Sequence, residues 1–501
     1  MLGTSFVEWI LIRLSILLFR YTPLLYITAL AALTLTFDGS SAWHLAAICI
    51  FCGLLFTEGL FYVLFWRPYR ARLAQAAVHP TPLTSGERRA LLDRCLLNIP
   101  SLESYLKWWF LGAALEDIRR DNLTEFLLWA FFDHDEVSLD MDEGAGAVRE
   151  ELDEYIAMIE QRLGRELEDG RGPAKCLRLT LDGIETSYRS LAWYGIIFVV
   201  DQVTHLALAY HGFQYYASSQ GTSRRTFPPR PQQLIAKRRS PASNLSYWYQ
   251  PHHANGDGKT PIVFFHGIGV GLWTYVRFLA DIHASKNRDG DGVGIIAVEI
   301  LPVSFRLTSP PLDKTEFLSA MASIVDYHGW NQFSIVSHSY GSVLTTHMLH
   351  CPAMQSRVTS VVLIDPVTIM LHLPDVAYNF TRRRPKRANE WQLWYFASTD
   401  PGVAHCLGRH FFWQQNIIWK EELVASPCGG REARKAAVCL SGRDLIVDTF
   451  MVKQYLLGEG QQSNGPDAAV EVLLFPELDH AQVFDDPTCC IRLVSLVKSY
   501  C

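Results

Sequence analysis

The run Ser337-His-Ser-Tyr-Gly341 limits the fold of this chain more than any other feature. It follows the apolar run Phe333 to Val336 and precedes residues 342–350, which have the character of a helix. Ser339 is therefore expected on a sharp turn between a strand and a helix. Such a turn strains its middle residue and requires small neighbours, here a serine and a glycine. The pattern is that of a nucleophile elbow, although an ordinary turn at a strand end can carry the same residues.

A glycine-rich loop lies upstream, after the short apolar strand Pro261 to Phe265. The loop carries His266, Gly267, Ile268, Gly269, Val270 and Gly271, and a helix is expected to follow it. With both motifs present, the chain resembles the serine-hydrolase branch of the α/β-hydrolase superfamily. In that family, a loop of this kind and the residue after the nucleophile supply the two backbone N–H groups of the oxyanion hole.

The resemblance implies that the amides of Ile268 and Tyr340 are these two donors. His266, Gly267, Gly269 and Gly341 would then form the supporting motif, since an oxyanion must approach the backbone to about 3 Å. A dinucleotide-binding loop is the rival interpretation. It is disfavoured because the glycine spacing is GxGxG rather than GxGxxG.

The family places its acid and its histidine after the serine, each at the end of a strand. Here the apolar run 436–440 is followed by Asp444, and the run 470–475 is followed by His480. The resemblance implies that Ser339 is the nucleophile, that His480 is its general base and that Asp444 orients the histidine. Two other carboxylates are open alternatives for the acid, namely Asp365, which ends a strand, and Asp448. A loop cap for Asp444 and a solvated loop position for His480 are the purely structural interpretations.

Apolar runs predict strands at 261–265, 294–300, 333–337, 359–364, 436–440 and 470–475. Helical stretches separate them, and this alternation is typical of an α/β fold with a mostly parallel sheet. The segment 366–435 is far longer than an ordinary connection, and it is rich in Trp and Phe. We interpret it as a cap insertion that lines an apolar pocket, although each aromatic residue could equally serve packing.

Two apolar stretches near the amino terminus predict a membrane hairpin. Leu14 to Phe37 and Ala42 to Trp66 each approach the ~20 residues needed to cross a bilayer, and Glu58 is the one carboxylate in the second stretch. We expect that carboxylate to snorkel or to face the first helix. Arginines lie outside the hairpin at both ends but not in its connection, so the positive-inside rule predicts cytosolic ends. The sequence thus predicts an integral membrane protein with two spans and a cytosolic catalytic domain.

The expected organisation has four parts. Residues 1–72 form the two-helix transmembrane anchor, 73–226 a helical region, 227–244 a Pro-rich basic linker, and 245–501 the α/β-hydrolase domain with its cap at 366–435. The helical region is interpreted as a platform on the membrane or as a cover for the mouth of the site. Its stretch 190–210 is apolar but interrupted, and we expect a buried or interfacial helix there rather than a third span.

Composition narrows the function classes. A net charge of −6 gives no sign of a nucleic-acid-binding surface, and the eleven cysteines show no zinc spacing, so no metal and no cofactor is predicted. A basic run at Lys237 to Arg239 is either a solvated face or a contact with anionic lipid. The expected function is that of a serine esterase or lipase acting on an apolar acyl or lipid substrate. An acyltransferase with the same acyl-enzyme and a non-catalytic binding module are the alternatives.

Overall fold

Within the part of the chain that the computed structural model describes, nine strands form one mostly parallel sheet. The described residues are 3–37, 41–135, 145–219, 221, 225–252, 259–284, 292–426, 433–458 and 470–501. The strands are β1 (Gln214–Ala217), β2 (Arg238–Arg239), β3 (Tyr247–Gln250), β4 (Ile262–Phe265), β5 (Ile295–Val298), β6 (Phe333–His338), β7 (Val358–Ile364), β8 (Lys435–Ser441) and β9 (Glu471–Phe475). Their order is β2-β1-β3-β5-β4-β6-β7-β8-β9, with β4 to β9 mutually parallel and β3 antiparallel to both of its neighbours.

Helices cover both faces of the sheet. The helices that precede β3 are α1 (Phe6–Leu35), α2 (Ala42–Phe61), α3 (Arg67–Leu73), α4 (Ser85–Leu97), α5 (Leu102–Trp109), α6 (Arg120–Leu127), α7 (Ala145–Leu163), α8 (Leu191–Tyr210) and α9 (Pro231–Ile235). Those that follow it are α10 (Val276–His283), α11 (Lys314–Tyr327), α12 (Gly341–Leu349), α13 (Pro352–Gln355), α14 (Pro374–Thr381), α15 (Ala388–Gln392), α16 (Pro401–His410), α17 (Trp413–Asn416), α18 (Lys420–Val424), α19 (Thr449–Leu457) and α20 (Pro487–Ser499).

The inner strands are mostly apolar because both of their faces are covered. In β4, Val263 and Phe265 enter the core on one face, whereas Ile262 and Phe264 enter the core on the other. All four side chains are buried. The prediction of an α/β fold with a mostly parallel sheet is confirmed, and the six predicted strands lie within two residues of the observed ones.

The sheet begins earlier than the sequence patterns indicate. Segment 227–244, expected as a linker before a domain that starts at residue 245, lies inside the fold because it contains α9 and β2. Its Arg230 is buried, with ion pairs of 3.0 Å to Asp201 and 2.7 Å to Glu299. These partners are distant in sequence, so local composition gave no sign that Arg230 belongs to the interior.

The amino-terminal hairpin is partly attached to the protein body. α1 is kinked at Tyr21, two residues before Pro23, and α2 continues through a π-helical turn (Tyr62–Trp66) into α3. The first half of α1 packs on the segment between β7 and β8, where the indole of Trp9 donates to the carbonyl of Lys386 at 3.1 Å. Among the described residues, three helices are long and apolar enough to cross a membrane, within Phe6–Leu35, Ala42–Leu73 and Leu191–Tyr210.

Glu58 is buried. Both of its carboxylate oxygens accept the backbone N–H of Leu191 at 3.1 Å, and the hydroxyl of Tyr188 also donates to it. The carboxylate therefore satisfies the first turn of α8 and complements the positive end of that helix. Sequence patterns did not indicate this hydrogen-bond partner, which lies 133 residues away.

The helical region and the insertion between β7 and β8 share one core. The indole of Trp109 donates to the carbonyl of His372 at 3.3 Å, and that of Trp413 donates to the carbonyl of Ala130 at 2.8 Å. Arg409 donates to two backbone carbonyls of the loop before α8. These contacts fix the helical region over the carboxyl-terminal end of the sheet, where the parallel strands deliver their side chains.

Candidate active site

Ser339 occupies the turn between β6 and α12 with φ at +51°. A non-glycine residue at such an angle costs of order 1–3 kcal/mol and persists only where surrounding contacts hold it. Its N–H donates to the carbonyl of Ile364 at 2.9 Å. A Cβ at Gly341 would lie 2.4 Å from the carbonyl oxygen of Phe265, so this position requires glycine. Ser337 stands where glycine is common, and its hydroxyl is satisfied by Thr345 at 2.8 Å.

A chain of hydrogen bonds connects Ser339, His480 and Asp444. The Oγ of Ser339 lies 2.8 Å from Nε2 of His480, and Nδ1 of His480 lies 2.6 Å from Oδ2 of Asp444. The other carboxylate oxygen of Asp444 accepts the N–H groups of Ile446 and Val447 at 2.7 and 3.0 Å. The two backbone donors hold this carboxylate in one orientation, which in turn orients the imidazole. The structure thus brings together the serine, histidine and acid that the sequence singled out.

Three carboxylates determine the charge state of His480. Burial disfavours the imidazolium, but Asp444, Asp365 and Asp479 outweigh burial and raise the pKa of His480 to about 9. A positive charge that develops on this imidazole is therefore stabilised in place. That property is what a general base requires while it holds the proton of a nucleophile.

The two alternative acids, Asp365 and Asp448, make other hydrogen bonds. Asp365 is buried, and it accepts the N–H and hydroxyl of Ser441 at 2.8 and 3.0 Å and the N–H of Ala481 at 2.9 Å. Burial is the main cause that raises its pKa to about 6. Asp365 thus fastens the two loops that carry Asp444 and His480, without a hydrogen bond to His480 in the described geometry. Asp448 caps α19 through the N–H of Met451 and lies outside this chain of contacts.

The glycine-rich loop after β4 faces the serine. A Cβ on Gly267 would lie 2.8 Å from the Cβ of Ser339, so the loop approaches the nucleophile closely only because this residue is glycine. In the same test, a Cβ on Gly269 would meet no protein atom within 4 Å. The amides of Ile268 and Tyr340 have no acceptor among the described residues, and both residues lie beside Ser339. Two unsatisfied N–H groups at this place are what an oxyanion hole needs.

His266 and Tyr275 hold the loop in position. His266 is buried, accepts the N–H of Ile300 through Nε2 at 2.9 Å and donates through Nδ1 to the carbonyl of Gly267 at 2.8 Å. The tautomer follows from these partners, and burial lowers the pKa of His266 to about 4. The hydroxyl of Tyr275 accepts the N–H of Gly267 at 3.2 Å and lies 2.8 Å from Nδ1 of His338. Tyr275 was not singled out from the sequence, since a single tyrosine in an apolar helix has the pattern of a core residue.

An apolar cavity opens beside Ser339. It has a volume of ≈ 640 Å³, with the solvent-open space at its edge included. Its wall combines Ile268 and Tyr340 from the loops, Ala377 and Phe380 from α14, and three residues from the helical region. Those three are Trp109, Trp129 and Leu179.

Residues 73–226 therefore contribute directly to the wall of the cavity, whereas the sequence suggested a platform on the membrane or a cover for the mouth of the site. Helical periodicity marks Trp109 and Trp129 as buried residues but does not indicate which cavity they face. The abundance of tryptophan in residues 73–226 was the one sequence feature that could have indicated a role in the site.

Neither a protein-family model nor a curated protein sequence matches this chain. Among solved structures it is similar to the naproxen esterase of Bacillus subtilis (14% identity, 50% of this chain and 87% of that chain, TM-score 0.33). It is also similar to the carboxylesterase CesB of Bacillus subtilis (12%, 61% and 97%, TM-score 0.34) and to a membrane phospholipase A described as a bacterial virulence factor (13%, 62% and 94%, TM-score 0.36).

At such low identities and TM-scores, these likenesses carry no argument about the fold. The fold is identified from the topology of the sheet and from the positions of the three site residues. The serine lies on a strand-to-helix turn, and an acid and a histidine follow at the ends of two later parallel strands. The chain has the fold of the α/β-hydrolase superfamily.

Proposed function

We propose that this chain is a membrane-anchored serine hydrolase that cleaves an apolar acyl ester. The observation that carries the proposal is the contact chain from Asp444 through His480 to Ser339, which ends at the wall of an apolar cavity. Hydrogen-bonded polar residues that end at an apolar wall fit a substrate whose reactive carbonyl is attached to a hydrocarbon chain.

In the proposed reaction, the Oγ of Ser339 attacks the ester carbonyl while its proton passes to Nε2 of His480. The oxyanion of the tetrahedral intermediate accepts hydrogen bonds from the amides of Ile268 and Tyr340. His480 then returns the proton to the departing alcohol, and the acyl group remains on Ser339. A water molecule then attacks the acyl group on Ser339 and gives a proton to His480. His480 passes this proton to the Oγ of Ser339, and the carboxylic acid leaves.

The proposal extends to the organisation of the chain. The hairpin within residues 1–72 serves as the anchor with two spans, the segment 366–435 serves as the cap, and residues 73–226 complete the acyl pocket. The free apolar surface of α1 and α2 supports this assignment, since side chains such as Phe6, Leu14 and Phe56 are largely exposed. Exposed apolar helices of this length are stable in lipid and unfavourable in water.

Labelling with a fluorophosphonate probe tests the proposal in membranes that contain the full chain. The probe is expected to label the parent chain and to leave Ser339→Ala unlabelled, because the probe reacts only with an activated serine. The alanine variant should also lower hydrolysis of a medium-chain acyl ester by several orders of magnitude at equal expression. Equal labelling of both chains would overturn the proposal. A Ser342→Ala chain is the matched control, since its hydroxyl donates to the carbonyl of Ser339 without contact to His480.

A further inference from the structure

One face of α8 is apolar and exposed along its whole length. The exposed side chains are Ile196, Val199, Val203, Leu206 and Tyr210, with exposures from 42% to 87%. Their spacing of three and four residues aligns them on one side of the helix. Gly195 and Ala209 are the other exposed positions of α8 in the described structure, so the terminal hydroxyl of Tyr210 is the one polar side-chain group among these exposed positions, and half-buried Gln202 lies beside them. A helix face in contact with water normally carries polar groups.

The opposite face of α8 is bound to the hydrolase fold through charge. Asp201 pairs with Arg230 at 3.0 Å and with Arg306 at 2.7 Å, and all three side chains are buried. If α8 crossed a bilayer by itself, Asp201 would have to leave Arg230 and Arg306. The two buried arginines would then lose this carboxylate as a partner. α8 has the length and composition of a span, but these contacts keep it along the surface of the protein.

The first turn of α8 adjoins the hairpin. Besides the bond from Leu191 to Glu58, the hydroxyl of Thr22 donates to that of Ser190 at 3.0 Å, and the N–H of Ser190 donates to the carbonyl of Phe19 at 3.3 Å. The exposed apolar surface of the hairpin therefore continues directly onto the exposed face of α8.

Further apolar and basic side chains lie beside α8. α9 is joined to α8 by the hydrogen bond from Gln202 to Gln232 at 3.0 Å, and it ends in Leu234 and Ile235, whose exposures are 51% and 80%. The exposed residues Lys237 and Arg238 follow two and three positions later. An apolar tip flanked by basic side chains complements the headgroup region of an anionic leaflet. The basic run noted in the sequence thus lies next to an apolar surface.

We propose that the exposed face of α8 and the tip of α9 form a second membrane contact, which lies flat in the interface of an anionic leaflet. The hairpin crosses the bilayer, whereas α8 rests on it and does not span it. The contact holds the hydrolase body in one orientation against the lipid. This inference concerns the docking surface and stands apart from the proposed chemistry at Ser339.

A depth measurement on the full chain in vesicles tests the contact. A nitrobenzoxadiazole fluorophore is attached through Leu206→Cys, in a background with the exposed thiols removed by Cys49→Ser and Cys52→Ser, and the signal of that background is subtracted. Phe450→Cys is the matched control, because Phe450 is 65% exposed on α19 at the other end of the sheet. Vesicles of phosphatidylcholine, with and without phosphatidylserine, carry nitroxide quenchers at shallow or deep positions of the lipid.

Quenching at position 206 is expected to centre about 5–10 Å below the headgroup boundary and to be stronger with phosphatidylserine. The control at position 450 should remain unquenched. Lys237→Glu combined with Arg238→Glu should reduce the quenching at position 206 to its level in phosphatidylcholine.

Two results would overturn the proposal. Maximal quenching by the deep nitroxide would identify α8 as a third span. An unquenched fluorophore at position 206, in a chain whose circular dichroism matches that of the parent, would show that the face meets water or protein instead of lipid. Either result would leave fluorophosphonate labelling at Ser339 unaffected, so the two proposals fail separately.

Discussion

The three site residues, Ser339, Asp444 and His480, follow three different strands. Buried hydrogen bonds determine the distances between their side chains. Asp444 and Asp365 are the carboxylates that the sequence left as rivals, and they differ in what they touch. Asp444 touches His480, whereas Asp365 touches Ser441 and Ala481. The difference gives the two residues separate expected phenotypes.

Asp444→Asn is expected to lower turnover by roughly 10⁴, because the amide favours the wrong imidazole tautomer. It should also change the pH profile of kcat/KM. Activity requires the unprotonated His480, so the parent profile should rise with pH towards the pKa of about 9, and loss of the carboxylate should move that rise to lower pH. Measured pH profiles of the parent, Asp444→Asn and Asp365→Asn check both points. Asp365→Asn should be milder in turnover, and the reverse ranking would move the acid role to Asp365.

The two glycines of the loop after β4 offer a matched pair. Gly267→Ala is expected to lower the acyl-ester kcat/KM at least 10²-fold, because the added methyl would displace Ser339 and the nearby amide donors. Gly269→Ala should retain most activity, since its methyl meets open space. Steady-state kinetics of both variants measure this difference. An equal loss of kcat/KM in the two variants would contradict the steric explanation for Gly267.

At the scale of elements, the arrangement of the cavity wall is the new information. The loops after β4 and β6 supply one side, α14 of the insertion supplies another, and the helical region closes it with Trp109 and Trp129. The size of the cavity is therefore set by three segments that are far apart in sequence.

Ala377 on α14 lines this cavity, and Ala377→Phe should shorten it. The variant is expected to lose at least tenfold in kcat/KM for long-chain acyl esters, because a pocket that excludes one or two methylenes discriminates by about 1–3 kcal/mol. The acetyl ester and fluorophosphonate labelling serve as controls and should remain near parent values. An unchanged preference across a series of graded acyl chains would show that the substrate binds elsewhere.

The sequence predicted elements that have a strong local pattern and missed those defined by distant partners. The six parallel strands β4 to β9 could be recognised because their residues are mostly apolar. β1, β2 and β3 could not, since β1 and β3 each carry a glutamine and have no run of aliphatic residues, and β2 consists of two exposed arginines. Arg230 appeared to belong to a basic linker, because its partners Asp201 and Glu299 come from other elements. The strand-end residues of the site follow from chain order, whereas Tyr275 and the two tryptophans follow only from packing.

At the scale of the whole molecule, the amino-terminal hairpin and the α/β body share contacts. Trp9 reaches the insertion and Glu58 reaches α8, so the hairpin is attached to the body at two places. The proposed topology keeps the body on the cytosolic side of the membrane.

Carbonate extraction should leave the full chain in the membrane pellet, because insertion of two apolar helices is effectively irreversible. Protease added to sealed vesicles with their cytosolic face outward should digest the region that contains Ser339. The sequon at Asn122 should carry no glycan, and its buried side chain already donates to the carbonyls of Gly172 and Ala174. A protease-protected fragment with endoglycosidase-sensitive mass would show the opposite orientation.

The bond between Glu58 and Leu191 has a consequence for biosynthesis. A chain made from its amino terminus presents residue 58 long before residue 191 leaves the ribosome, so the hairpin has time to enter the bilayer first. The carboxylate of Glu58 is then in place as a hydrogen-bond acceptor before α8 has been translated. A chain shortened to begin at residue 74 would fold without that acceptor and without the α1 surface that supports the insertion. Removal of the hairpin should therefore weaken the proposed activity of the body rather than release a soluble equivalent.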